Sequence, residues 1–288
     1  MPLTKLQIDV LTTIAANRNP GSVIAGGIPL ARAGARESHD IDIFHTRSDA
    51  LVAAFNVDAA TLTAAGFTVT ATKIGTVFGK AEITFERADV SRDGQTVVME
   101  WVADSDFRYF PTLPDKEFGY VLNPIDLGIN KIWAAVGRSE LRDIIDLDHI
   151  TNKYLPLGPL AAAAVEIDPG YTPELMLNEM MRNTKRTPEE YDQVPGIDRA
   201  TAIAAIQSYR EKINEARAYV MNLPTDKLGI LFLKDGVPVQ PDTSRLADYT
   251  EHRPKRQGHW PGTPDIRTEM LAVRHGIDWD RARSSTTR

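Results

Sequence analysis

RESHDIDIF, residues 36–44, is the stretch whose reading decides the fold. Asp40 and Asp42 stand two apart in a β-prone run, with Ile41 and Ile43 as their neighbours. Successive side chains of a strand alternate faces, so D-I-D-I makes one face acidic and the other apolar. The apolar face predicts a strand laid against a core. Two carboxylates that close repel each other unless a positive charge lies between them, and a divalent metal ion is the usual one.

Upstream, the apolar run 22–25 stops at Gly26-Gly27, and a brief helix through Leu30 and Ala33 leads to Gly34. Glycines between a strand and a helix let backbone N–H groups approach a phosphate closely and set a helix N-terminus beside it. Downstream, TVVMEWV puts Glu100 on one strand face with Thr96, Val98 and Val102, and Val97, Met99 and Trp101 on the other. A single acid in so apolar a strand is costly to bury unless it is paired or coordinates a cation. If that strand neighbours the Asp40 strand, three carboxylates converge on one point. With substrate phosphates, that is a ligand set suited to Mg²⁺ or Mn²⁺ at a phosphoryl-transfer site.

Periodicity and turn signals supply the frame. Helices are expected over 3–17 and 48–65, and strands over 67–73, 77–87 and 96–102, with Asp93-Gly94 as a hairpin turn. After Asn123-Pro124 the pattern turns helical, over 125–137, 139–154, 173–183 and 198–221, with a late hairpin around Asp235-Gly236. The expected class is α+β. Residues 1–122 form a mixed sheet of about five strands flanked by helices, and 123–288 form a mainly helical domain ending in an Arg/Pro-rich segment with one short helix at 263–275.

Composition narrows the class further. The chain has 288 residues, 42% hydrophobic and 25% charged, and a formal charge of -6. A protein that is nucleic-acid-binding over its whole surface is excluded, so any polyanion must be met by a local basic patch. Residues 182–186 and 253–256, with Trp260 near the second, are the candidates for RNA. The absence of cysteine removes disulfides, thiol catalysis and cysteine-ligated zinc. Charges within the first amphipathic pattern argue against a secretory signal, and the apolar run 154–165 is interrupted by prolines and too short to span a bilayer. A soluble, cytoplasmic protein with no membrane association is expected.

The order Gly-Gly, Asp-x-Asp, then a lone strand acid resembles the signature of the DNA polymerase β-like nucleotidyltransferase superfamily. KIWAAVGRSELRDIIDLDHI, residues 131–150, resembles the helical motif of the AbiEii/AbiGii group, which includes the MenT-type toxins. That motif has a lysine, an arginine seven residues on, then Arg-Asp-x-x-Asp-Leu. The resemblance covers about residues 20 to 150. It implies that Asp40 and Asp42 hold the metals and that Glu100 is the third ligand or the base that prepares the acceptor hydroxyl. Gly26, Gly27, Arg36 and Ser38 would line the triphosphate, the last two through the family's R-x-S-x-D-x-D. Lys131 would contact the triphosphate, with Arg138, Arg142, Asp143 and Asp146 positioning Lys131 or the nucleotide. An alternative reading makes Arg142 and Asp143 a salt-bridge network closing one helix onto the next. One departure is Ile28 after the glycines: neither glycine is the serine that many relatives use there.

The expected activity is therefore transfer of an NMP from an NTP to a hydroxyl, as the toxin of a type IV-like toxin-antitoxin or phage-defence pair. Its acceptor would be tRNA and its partner a cognate antitoxin. Two other readings stay open: transfer onto a small molecule, as in antibiotic-modifying enzymes, and a nucleotide- or protein-binding module without turnover.

Overall fold

Alternation at DIDIFH carries through into the three-dimensional structure. In the computed structural model, which describes residues 3–46, 48–76, 83–104, 107–138, 140–168, 170–192 and 194–254, β2 (Asp40–His45) buries Ile41, Ile43 and His45 and leaves Asp40, Asp42 and Phe44 half-buried. The described residues divide into two compact units, one made by residues up to 104 plus 111–123, the other by 107–110 and 124–254.

The first unit is built on a mixed sheet. Its strands are β1 (Ser22–Ile24), β2, β3 (Thr68–Thr76), β4 (Ile83–Arg92), β5 (Gln95–Ala103), β6 (Leu113–Asp115) and β7 (Gly119–Val121), in the order β3-β4-β5-β2-β1-β7-β6. β2 runs parallel to β5 and antiparallel to β1. The β4–β5 hairpin turns on Asp93 (φ 53°) and Gly94 (φ 74°), the left-handed pair that a two-residue turn needs. Seven strands replace the five expected. β6 and β7 have three residues each, too few for a period to register, and their turn closes on Asp115 Oδ1, which accepts from Glu117 and Phe118 N–H at 3.0 Å. The strand expected over 77–87 is described only from Ile83 and runs on to Arg92.

α1 (Lys5–Ile14) and α3 (Ser48–Ala64) contact each other and the sheet. Phe55 of α3 meets Trp101 edge-on at 5.0 Å. Asp58 of α3, wholly buried, takes the Arg18 guanidinium at 2.5 Å and the Trp101 indole N–H at 2.8 Å. α1 starts later than expected because Thr4 caps it: Gln7 N–H donates to Thr4 Oγ1 at 3.1 Å, and Thr4 N–H donates to Gln7 Oε1 at 2.8 Å. The same Gln7 donates through Nε2 to the Ser38 carbonyl at 2.6 Å, fixing the loop that enters β2.

The second unit packs α4 (Pro124–Gly137), α5 (Leu141–Lys153), α6 (Leu157–Ala164), α7 (Pro173–Arg182) and α8 (Arg199–Asn222), with a small sheet of order β10-β8-β9. Here β8 is Leu231–Lys234, β9 is Val237–Val239 and β10 is Thr250–His252. The expected hairpin turns on Asp235 (φ 53°) and Gly236 (φ 77°). α6 has no counterpart in the sequence reading. It is buried all round, so it shows no amphipathic period, and Pro159 falls in its first turn, where no N–H bond is lost. Asp126 accepts the backbone N–H groups of Tyr109 and Phe110 at 2.7 and 3.0 Å, tying residues 107–110 to α4. No described helix is long and apolar enough to cross a membrane. The short helix expected at 263–275 lies outside the described residues.

Candidate active site

Gly26 and Gly27 cannot be other residues without moving their surroundings. A Cβ on Gly26, which has φ +60°, would lie 1.6 Å from Asp42 Oδ2, so the carboxylate occupies the space a side chain would need. A Cβ on Gly27 would lie 2.4 Å from Ser38 Oγ and 3.1 Å from an Arg36 guanidinium nitrogen. Glycines, Arg36, Ser38 and Asp42 are thus brought into one place by the β1 turn and the entry to β2. Ser38, buried, has its Oγ 3.1 Å from Asp40 Oδ1 and donates toward it. Arg36, also buried, donates to the Glu37 carbonyl at 2.7 Å. α2 (Ile28–Arg32) follows the glycines and has only five residues. So short a helix carries little dipole, and what the turn offers an anion is its backbone N–H groups.

β5 lies beside β2, and Glu100 stands opposite Asp42 in register. In a sheet such partners share a face, so Glu100 joins Asp40 and Asp42 on the half-buried side. Its carboxylate is 3.5 Å from Arg87 of β4. Sequence reading missed Arg87, although counting back from the Asp93-Gly94 turn sets Arg87 opposite Glu100. Among the described residues no group of three or more Asp, Glu, His or Cys side chains is arranged to hold a metal ion. Mg²⁺, however, needs only one or two protein carboxylates when water and phosphate oxygens complete its shell. The Asp40–Asp42 pair on one strand face, with the Gly26 backbone against Asp42, fits that requirement.

The second unit carries the helical motif. Lys131, nearly buried on α4, reaches Asp143 at 3.2 Å and Asp146 at 2.7 Å, and both acids are wholly buried on α5. Arg138 closes the set by donating to the two Asp143 oxygens at 2.8 and 3.1 Å. Burial alone would raise the Asp143 carboxyl, but the Arg138 hydrogen bonds and the Lys131 charge outweigh it and hold the group below its usual range. Arg142 pairs with Glu140 at 2.5 Å. Asp143 thus closes α5 onto α4 through Lys131 and Arg138, whereas Arg142, its partner in the alternative reading, meets Glu140 at the start of α5.

Of the two basic patches, residues 182–186 are largely neutralised: Arg182 pairs with Glu179, and the nearly buried Arg186 with Glu190 at 3.0 Å. The second patch, 253–256 with Trp260 near it, falls outside the described residues apart from Arg253 and Pro254.

The family model described as nucleotidyl transferase AbiEii toxin, type IV TA system, matches residues 16–195. No curated protein matches the chain. Among solved structures, MenT4, a nucleotidyltransferase toxin from Mycobacterium tuberculosis H37Rv, is similar with a TM-score of 0.47 at 13% identity, covering 77% of this chain and 84% of that one. JHP933 from Helicobacter pylori is similar with a TM-score of 0.41 at 16% identity, covering 76% and 94%.

Proposed function

The chain belongs to the AbiEii family and is a nucleotidyltransferase, and from that premise we propose that it moves an NMP from an NTP to a hydroxyl of RNA, tRNA first, as the cytoplasmic toxin of a toxin-antitoxin pair. The observation that carries the site is the Asp40–Asp42 pair set on one strand face against the Gly26-Gly27 turn. The domain of residues 1–122 carries the acids, and 123–288 carries Lys131 and its partners.

In the reaction the acceptor oxygen bonds to the α-phosphorus, the α–β P–O bond breaks, and pyrophosphate leaves. Glu100 accepts the hydroxyl proton, with Arg87 holding its carboxylate in place. Backbone N–H groups at Gly26 and Gly27, with Arg36, meet the phosphate oxygens, while Ser38 orients Asp40. Lys131 is the cation that the family resemblance assigns to the triphosphate; within the second unit Asp143 and Asp146 hold its ammonium, and Arg138 meets Asp143. A divalent ion, Mg²⁺ or Mn²⁺, held by Asp40 and Asp42 would neutralise charge on the transferred phosphoryl group.

The test incubates the protein with Mg²⁺, each labelled NTP and total tRNA. Label on tRNA that vanishes with Asp42→Ala is the expected result. No label on any RNA or small acceptor would sink the transfer reading, and label on small molecules alone would move the acceptor to that class.

A further inference from the structure

One register row crosses the sheet of the first unit from the edge strand to the acids: Lys73 of β3 opposite Arg87 of β4, Arg87 opposite Glu100 of β5, and Glu100 opposite Asp42 of β2. The row reads plus, plus, minus, minus. Lys73 Nζ lies 5.7 Å from the Phe85 ring centroid, and Phe85 shares a strand face with Arg87 two residues on, so the ammonium is on the side of the sheet that bears Glu100. At about 4.8 Å per strand, Lys73 is about 10 Å from the Glu100 strand and about 14 Å from that of Asp42.

Two like charges directly opposite on paired strands weaken the pairing, and an anion between them reverses the sign. Arg87 is 42% exposed and gives part of its charge to Glu100. Lys73 is exposed and, among the described residues, pairs with no carboxylate. Asp89 and Asp40 lie in the neighbouring row on the same face, through Val98, and would repel an anion there. The favourable position is therefore confined to the Lys73–Arg87 row.

Strand order gives this position its meaning. The glycine turn follows β1, on one flank of β2, while β4 and β3 lie on the other flank beyond β5. We propose that Lys73 and Arg87 hold a backbone phosphodiester of a single-stranded polynucleotide acceptor, so that the donor triphosphate and the acceptor strand approach the acids from opposite flanks. The inference rests on the transfer reading and sharpens its acceptor: a small molecule without a phosphodiester would have no use for the row.

The test titrates a fluorescein-labelled ten-residue oligouridine by anisotropy, and in parallel measures KM for tRNA and for NTP. Lys73→Glu should weaken oligonucleotide binding about tenfold and flatten the slope of log affinity against log salt by about 0.7. Lys73→Arg should restore both, and Arg87→Gln should weaken binding in the same direction. KM for tRNA should rise in Lys73→Glu with KM for NTP unmoved. Equal oligonucleotide affinity in wild type and Lys73→Glu, or a rise in KM for NTP instead, overturns the proposal. Failure of wild type to label any RNA would defeat the transfer reading, while the anisotropy titration would still decide the phosphate site.

Discussion

Asp40 and Asp42 in the first unit and Asp143 and Asp146 in the second are each a close pair of carboxylates, held in opposite ways. The first pair is half-buried on a strand face, with Asp42 against the Gly26 backbone and Asp40 beside the Ser38 hydroxyl. The second pair is wholly buried and is met by Lys131 and Arg138 at 2.7 to 3.2 Å. A carboxylate taken wholly out of water must have its cation built in. The second pair thus holds α4, α5 and the lysine together, while the first is the pair proposed for the chemistry.

That contrast can be broken most sharply at Asp42. Asp42→Ala should lower transfer by about a thousandfold while leaving the thermal midpoint unchanged or slightly raised, since one of two repelling acids is gone. If the variant unfolds instead, the acids are structural and the comparison collapses. Asp143→Ala should do the reverse, costing about 3–5 kcal/mol in denaturant unfolding because Lys131 loses a buried partner and Arg138 loses Asp143. An unchanged unfolding midpoint would show that the second pair is not structural. Gly26→Ala should combine both effects, costing about 1–3 kcal/mol for the left-handed backbone and displacing Asp42, so that activity falls with stability.

Smaller effects sharpen the comparison. Arg138→Ala, at a half-exposed cation, should cost about 1 kcal/mol, less than removal of the acid it meets. His45, on the buried face of β2, is held down to about 4, first by burial and then by the Arg18 charge. Its folded value lies below its unfolded one, so its contribution is complete above about pH 6.5 and is lost as pH falls from there toward 4. Thermal midpoints across that window should fall in wild type and fall less in His45→Gln. For Asp143, also depressed, the contribution is complete above about pH 4 and is lost only below it.

Much of the fold was legible where its signals are local. Alternation at 40–43 needs only the pleat, and Asp93-Gly94 and Asp235-Gly236 need only the left-handed backbone that such turns favour. The same hairpin logic reached Arg87 in principle, since a two-residue turn sets every pair behind it. What escaped was short or uniform: β6 and β7 at three residues, and α6, whose sides are all buried. In the helical motif, spacing placed Lys131 and Arg138 on one helix face, and only the family resemblance linked Asp143 and Asp146 to Lys131.

By itself the sequence determined the elements, the faces and the residue types: an acidic strand face, a glycine turn ahead of it, a lone strand acid and a basic helix motif followed by acids. Only the tertiary structure decided that β5 lies parallel to β2 with Glu100 opposite Asp42, and that Asp143 takes both Lys131 and Arg138. The reason is physical. Periodicity and turn geometry are properties of a few consecutive residues, whereas strand order and charge pairing depend on segments far apart in the chain being brought together by burial of a shared core.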